Sequence, residues 1–306
     1  MKINIKNLDI IGRKNWYFGF SLLIMVPGLI FLFLFGLNPS IDFTGGSRLT
    51  IDFKGKISDN DTQKISKILV DENVKVYTVE RSNKSILIRT SPMSERENTK
   101  FQKDFSKNIK DAKETGFETI GPTIGKETTI NALKAVVIAS ILIVLYIAWS
   151  FRKVPKPASG LRFGVSAVVA LIHDVLVLVG VFAILGKLFG VEVDSLFVTA
   201  VLTVIGFSVH DTIVVFDRIR ENLRRETAPF AQVVNDSILQ TIDRSLNTSL
   251  TVLLVLFALL LFGGESIRWF VVALLVGVTS GTYSSIFNAS PILVLWQEWV
   301  DKRKKK

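Results

Sequence analysis

Six long apolar runs, separated by the polar stretches that hold most of the charge, constrain this chain more than anything else in its sequence. A helix that crosses a bilayer needs about 20 consecutive, mostly apolar residues. Residues 17–37, 129–151, 163–189, 196–216, 246–262 and 269–296 meet or approach that length. The fifth run is short and has to borrow polar neighbours near Arg244. An apolar fraction of 49% does not decide the class, because a soluble chain can reach it; the clustering does. The first run reads as a span and not a cleaved leader, being too long and lacking a small-residue cleavage pattern after it. All five Trp fall at the ends of runs, where an interfacial belt would place them.

The charge pattern gives an orientation. Lys2, Lys6, Arg13 and Lys14 precede the first span, and Arg152, Lys153, Lys156 and Arg162 lie between the second and third. Arg218, Arg220, Arg224 and Arg225 follow the fourth, and a basic run at 302–306 closes the chain. These regions alternate to one side, which the positive-inside rule makes cytoplasmic. The expected layout is a cytoplasmic N-terminus (1–16), a first span (17–37), an extracytoplasmic domain (38–128), five further spans (129–298) and a basic cytoplasmic tail (299–306). Topology thus accounts for the net charge of +10, and nucleic acid is not expected as a partner.

The 38–128 segment reads as βαββαβ. Residues 48–53 alternate as a strand with Leu49, Ile51 and Phe53 on one face. Asn60 is the expected cap of a helix, with Gln63 reaching back and Ile65, Ile68 and Leu69 as its stripe. Strands at 74–80 and 85–90 are joined by a tight turn at 82–84. Ser94 and Glu97 form a capping box ahead of Phe101, Phe105 and Ile109; Gly116 is expected to stop that helix, and 117–120 to be a last short strand. The fold class is therefore an α-helical membrane protein of six transmembrane helices with one ferredoxin-like α+β extracytoplasmic domain.

Ionisable groups inside spans cost about 2.5–3.5 kcal/mol to insert and are candidates for function. Here they are His173 and Asp174 in the third span, His210 and Asp211 in the fourth, and Arg244 at the start of the fifth. A lone carboxyl at mid-depth, as Asp174 is, suits a proton relay, because its charge is poorly solvated there. Asp211 shares a face with Ser208 and Val204. Arg244 shares one with Asn247, Thr248 and Thr251. Asp211 and Arg244 can reach similar depth across one loop, and a movement that makes and breaks such a pair couples to protonation. The competing reading for Arg244 is snorkelling to the interface. His210, Asn247, Thr248 and Ser208 would give polar support. In the sixth span Ala273, Gly277, Gly281, Ser285 and Ala289 recur at i+4, a small-residue stripe for close helix packing.

Enzyme chemistry is not expected, and neither is a cofactor or metal. Cysteine is absent, two isolated His give no zinc cluster, and no G-x-S-x-G elbow occurs. The Gly121–Glu127 stretch evokes a phosphate loop but fails on spacing, and Glu127 stands where a magnesium-holding hydroxyl belongs.

Several ordered motifs carry a resemblance. They are Ile41-Asp42-Phe43-Thr44-Gly45-Gly46 after the first span and Gly121-Pro122-Thr123-Ile124-Gly125 before the second. Ala170-Leu171-Ile172-His173-Asp174, the run from Ser208 to Asn222, Arg244-Ser245-Leu246-Asn247-Thr248-Ser249 and Gly281-Thr282-Tyr283-Ser284-Ser285-Ile286-Phe287 follow in order. Together they resemble the SecF family, the smaller half of SecDF complexes and half of a resistance-nodulation-division transporter. His210 departs from the family, which often has Asn there. The resemblance implies a subunit that pairs with SecD, works with the SecYEG translocon and SecA, and uses proton flow to draw preproteins across the cytoplasmic membrane. It implies YajC and YidC as further partners, besides membrane lipid. It also implies that Asp211 and Arg244 belong to a proton-responsive site at the SecD interface. The alternatives are a half-size efflux permease of the same superfamily and a scaffold of the translocon.

Overall fold

The computed structural model describes residues 8–55, 57–81, 84–109, 111–155, 157–225 and 227–304. In chain order the elements are α1 (Lys14–Phe35), α2 (Ile41–Thr44), β1 (Gly46–Phe53), α3 (Asp59–Asp71), β2 (Val76–Arg81), β3 (Ser85–Thr90), α4 (Glu95–Asn108) and β4 (Ala112–Ile120). Then follow α5 (Pro122–Ser150), α6 (Gly160–Phe189), α7 (Ser195–Arg225), α8 (Phe230–Phe262), a short 3₁₀ turn (Glu265–Ile267), α9 (Arg268–Ser284), a π-helical turn (Ser285–Ala289) and α10 (Ser290–Lys304). Two compact units result. One comprises Asn38–Lys134 with Glu192–Ser195; the other comprises Met1–Leu37, Ala135–Val191 and Leu196–Lys306.

Among the described residues six helices are long and apolar enough to cross a membrane: α1, α5, α6, α7, α8 and a sixth over Glu265–Arg303. Helices form there because hydrocarbon offers no partner for backbone N–H and C=O groups, so the segment must satisfy its own. Several helices outrun their apolar runs. The fifth apolar run proves to be the C-terminal part of one continuous helix from Phe230 to Phe262, so Arg244 lies inside α8 and not at its start. Hydropathy registers what lipid tolerates, whereas the helix continues wherever the i→i−4 ladder can. The sixth span is broken by the π turn at Ser285–Ala289. Pro291 supplies the reason: it has no N–H for the carbonyl of Phe287, so the α ladder cannot run straight through.

The α+β unit has the expected βαββαβ order with an antiparallel sheet β2-β3-β1-β4. Register is set by the apolar faces of the strands. Leu49 faces Ile88 and Ile51 faces Ile86 across β1 and β3, and all four are fully buried. Ile65 and Leu69 from α3, and Phe101 and Phe105 from α4, close the same core. Two local expectations are corrected. The cap of α3 is Ser58, not Asn60: Ser58 accepts from the N–H of Asp61, whose carboxylate accepts from the N–H of Ser58. A serine with an acid three residues on completes a reciprocal box, which leaves Asn60 inside the first turn. Gly116 does not end a helix. α4 stops at Asn108 and Gly116 lies within β4, a longer strand than expected. There Thr50 pairs with Gly116 and Ile51 with Glu114, so Thr115 is the extra residue of a bulge. The Ser94–Glu97 box forms as expected. Of the expected 82–84 turn, Ser82 and Asn83 lie outside the described residues.

Candidate functional site

In the helical unit, α9 packs closely on α7 because its stripe of small residues leaves room. A Cβ at Gly277 would overlap the Val204 side chain, and one at Gly281 would stand 3.0 Å from Ser208 Cβ. The approach brings hydroxyls of both helices to Asp174, midway along α6 and fully buried. Ser208 donates to its Oδ2 at 2.5 Å, Ser284 to Oδ2 at 2.6 Å and Ser280 to Oδ1 at 2.7 Å. The Nδ1 of His173 lies 3.1 Å from Oδ1. One carboxylate thus ties three helices through four donors. Such a group repays its burial only when its acceptor positions are filled, and here they are.

Asp211 is buried too, but its surroundings differ. The hydroxyl of Ser249, on α8, stands 3.4 Å from its Oδ2, at the limit of a hydrogen bond. The Nδ1 of His210 is 3.7 Å from Oδ1, and the His210 ring is mostly exposed. Ser249 in turn accepts from Thr282 of α9 at 2.6 Å. Asp211 therefore keeps acceptor capacity open, in contrast to Asp174.

Arg244 and Asp211 are not joined: among the described residues no ion pair links them, and Arg244 is exposed on α8. Asn247, Thr248 and Thr251 are exposed on the same face. The two threonines donate back to their own helix, to the carbonyls of Arg244 at 2.9 Å and Asn247 at 2.7 Å. Ser285 does more than pack: its hydroxyl bonds to that of Thr212 at 2.9 Å. Ser249, Thr282 and Ser284 enter the sequence reading only as members of the family-like motifs, without a role, and Ser280 not at all. The spacing of Ser280 and Ser284, i and i+4 within an apolar span, is the signal that could have found them.

The family model described as protein export membrane protein SecD/SecF, C-terminal, matches residues 100–299, and the SecD/SecF GG motif matches residues 30–56. The chain belongs to the SecD/SecF family. A protein translocase subunit SecF of Thermobaculum terrenum is 46% identical over 95% of this chain and 94% of its own length. A protein translocase subunit SecDF of Bacillus subtilis is 36% identical over 97% of this chain, which spans only 39% of that protein. The crystal structure of SecDF from Thermus thermophilus, a translocon-associated membrane protein, superposes with a TM-score of 0.83 at 32% identity, covering 97% of this chain and 40% of that one.

The match to the SecD/SecF C-terminal region takes in Asp174, Asp211 and Arg244. The SecD/SecF GG motif has a steric basis here. Gly45 and Gly46 have φ of +70° and +124°, where side chains are strained. A Cβ on Gly45 would also stand 2.9 Å from Pro122 Cα, and one on Gly46 2.7 Å from the Thr90 carbonyl oxygen.

Proposed function

We propose that this membrane protein is the SecF-like half of a complex that couples proton movement through the cytoplasmic membrane to protein export. It acts as a non-enzymatic transport subunit. Both termini lie in the cytoplasm, and the α+β unit lies on the far side, where exported chain emerges. One observation carries the reading: the buried, sparingly bonded Asp211 stands one helix away from an exposed polar stripe of Arg244, Asn247, Thr248 and Thr251. A polar stripe does not face lipid at equilibrium; it faces another helix or a water path. The SecDF relatives carry in one chain more than twice the length matched here, and a SecD partner is the cover for that face. The SecYEG translocon, with SecA and with YajC or YidC, completes the assembly.

In this scheme Asp211 exchanges the proton and Arg244 is its intermittent counter-charge, brought up when the SecD helices pack against α8. His210 and Ser249 hold the carboxyl between exchanges. Asp174 is the second carboxyl of the relay, reached only when the hydroxyl cage around it loosens. The test is completion of preprotein transport into vesicles with an imposed proton gradient, comparing the native chain with Asp211→Asn in the presence of SecD. The gradient-dependent part is expected to vanish and the rest to persist. Unaltered gradient dependence in Asp211→Asn would remove Asp211 from the path.

A further inference from the structure

A cavity of about 440 Å³ lies between α1, α6 and α9 in the helical unit. Its volume falls in the range of small-molecule sites, roughly 300–1,000 Å³. Most of the wall is apolar: Phe20 and Ile24 of α1, Val177 and Val181 of α6, Leu275 and Val276 of α9. Four hydroxyls also reach it, and the hydrogen of each is committed. Ser21 donates to Asn288 at 3.0 Å, Thr279 to the Leu275 carbonyl at 2.7 Å, Ser280 to Asp174 at 2.7 Å and Tyr283 to the Tyr17 carbonyl at 2.7 Å.

The imidazole of His173 is the exception. It lines the cavity, its Nε2 is buried, and that atom has no hydrogen-bond partner among the described residues. A buried polar atom left unpaired costs about 1–3 kcal/mol, so its open valence marks what is missing. Where Nδ1 donates to that carboxylate, a neutral ring presents a lone pair at Nε2, and its complement is a donor. Depth narrows it further. His173 lies near the middle of a helix of 30 residues, about 15 Å from either edge of the hydrocarbon, beyond reach of lipid headgroups anchored at the interface.

We infer that this cavity is a binding site for a bilayer-dissolved hydrophobe bearing one hydroxyl, a phenol or quinol-like compound, which donates to His173 Nε2 while its apolar body fills the space between α1 and α9. Occupancy places the bound hydroxyl one imidazole away from Asp174.

The probe is 4-heptylphenol, with its methyl ether as the partner that cannot donate. The intact chain, with its SecD partner in nanodiscs, is photolabelled with a diazirine-bearing heptylphenol, and the labelled peptides are mapped. Labelling is expected on α1, α6 and α9 around the cavity, competed by heptylphenol about tenfold better than by the ether. His173→Phe keeps the ring's shape and should erase that preference. Thr279→Trp, on the exposed rim, should fill the cavity and abolish labelling even if His173→Phe fails to fold. Equal competition by phenol and ether in the native chain, or labelling that survives Thr279→Trp, overturns the proposal.

Discussion

Replacing Ser284 by alanine removes one of the hydroxyls that donate to the fully buried Asp174 carboxylate. Neutral hydrogen bonds between membrane helices average only about 0.6 kcal/mol. A bond to a buried carboxylate is stronger, roughly 1.5–3 kcal/mol, and its loss leaves an acceptor position empty. Each of Ser208→Ala, Ser280→Ala and Ser284→Ala should therefore cost about 2 kcal/mol, a shift of roughly 30-fold in the folded-to-unfolded ratio. Because Ser280 and Ser284 share one acceptor group, their double variant should depart from additivity by about 0.5 kcal/mol or more. Thr279→Ala is the control, since its hydroxyl bonds only to its own helix, and it should change stability by no more than about 0.5 kcal/mol. Reversible unfolding of the reconstituted chain by steric trapping reads these differences. If all three serine variants matched the Thr279 control, the carboxylate would not be held by these hydroxyls, and the account of Asp174 as the tie between α6, α7 and α9 would fail.

Three further outcomes follow from other parts of the molecule. Gly277→Leu forces a side chain into Val204 and should cost about 1–3 kcal/mol in the same assay, with partial recovery when Val204→Ala is added. In the α+β unit, burial first and the Glu192 carboxylate second push Glu80 above the ordinary glutamate range, against the opposing Arg89. The folded state therefore resists the charged form: the stability is full below the ordinary value and is lost as pH rises through the raised one. Glu80→Gln should accordingly slow amide exchange in β2 and β3 at about pH 8 and leave it unchanged at about pH 4. Ser94→Ala breaks the capping box of α4 and should speed exchange at the N–H of Glu97, with a loss of about 0.5–2 kcal/mol.

Much of this was legible in the sequence because it depends on periodicity. The spans announce themselves by length, and the faces Leu49–Ile51–Phe53 and Phe101–Phe105 by alternation and by i+4 spacing; all five side chains are buried. What escaped depends on comparison between near-equivalent local signals or on distant partners. Two residues could cap α3, and Ser58 won because Asp61 answers it. Gly116 reads like a helix stop, since a glycine beside a strand bulge and one after a helix look alike in a single sequence. Asp174 and Asp211 each follow a histidine in a span, yet one receives three hydroxyls and the other one long contact. That difference is written in Ser280 and Ser284, about a hundred residues further along the chain, and only the approach of α9 brings it to bear.

The π turn ahead of Pro291 works as a phase step. Each residue advances an α-helix by about 100°, so one inserted residue rotates everything after it by about that angle. Before the step, Ser280 and Ser284 address Asp174 on α6; within it, Asn288 exchanges hydrogen bonds with Ser21 on α1 at 2.8 and 3.0 Å. Tyr283 already meets α1 ahead of the step, and the step keeps Asn288 on that same neighbour where an unbroken helix would present it in a different rotational register. The span's length in residues is thus as constrained as its composition: deleting one residue between 285 and 289 would turn Pro291 and the basic end of α10 toward the wrong partners while leaving every hydropathy signal intact.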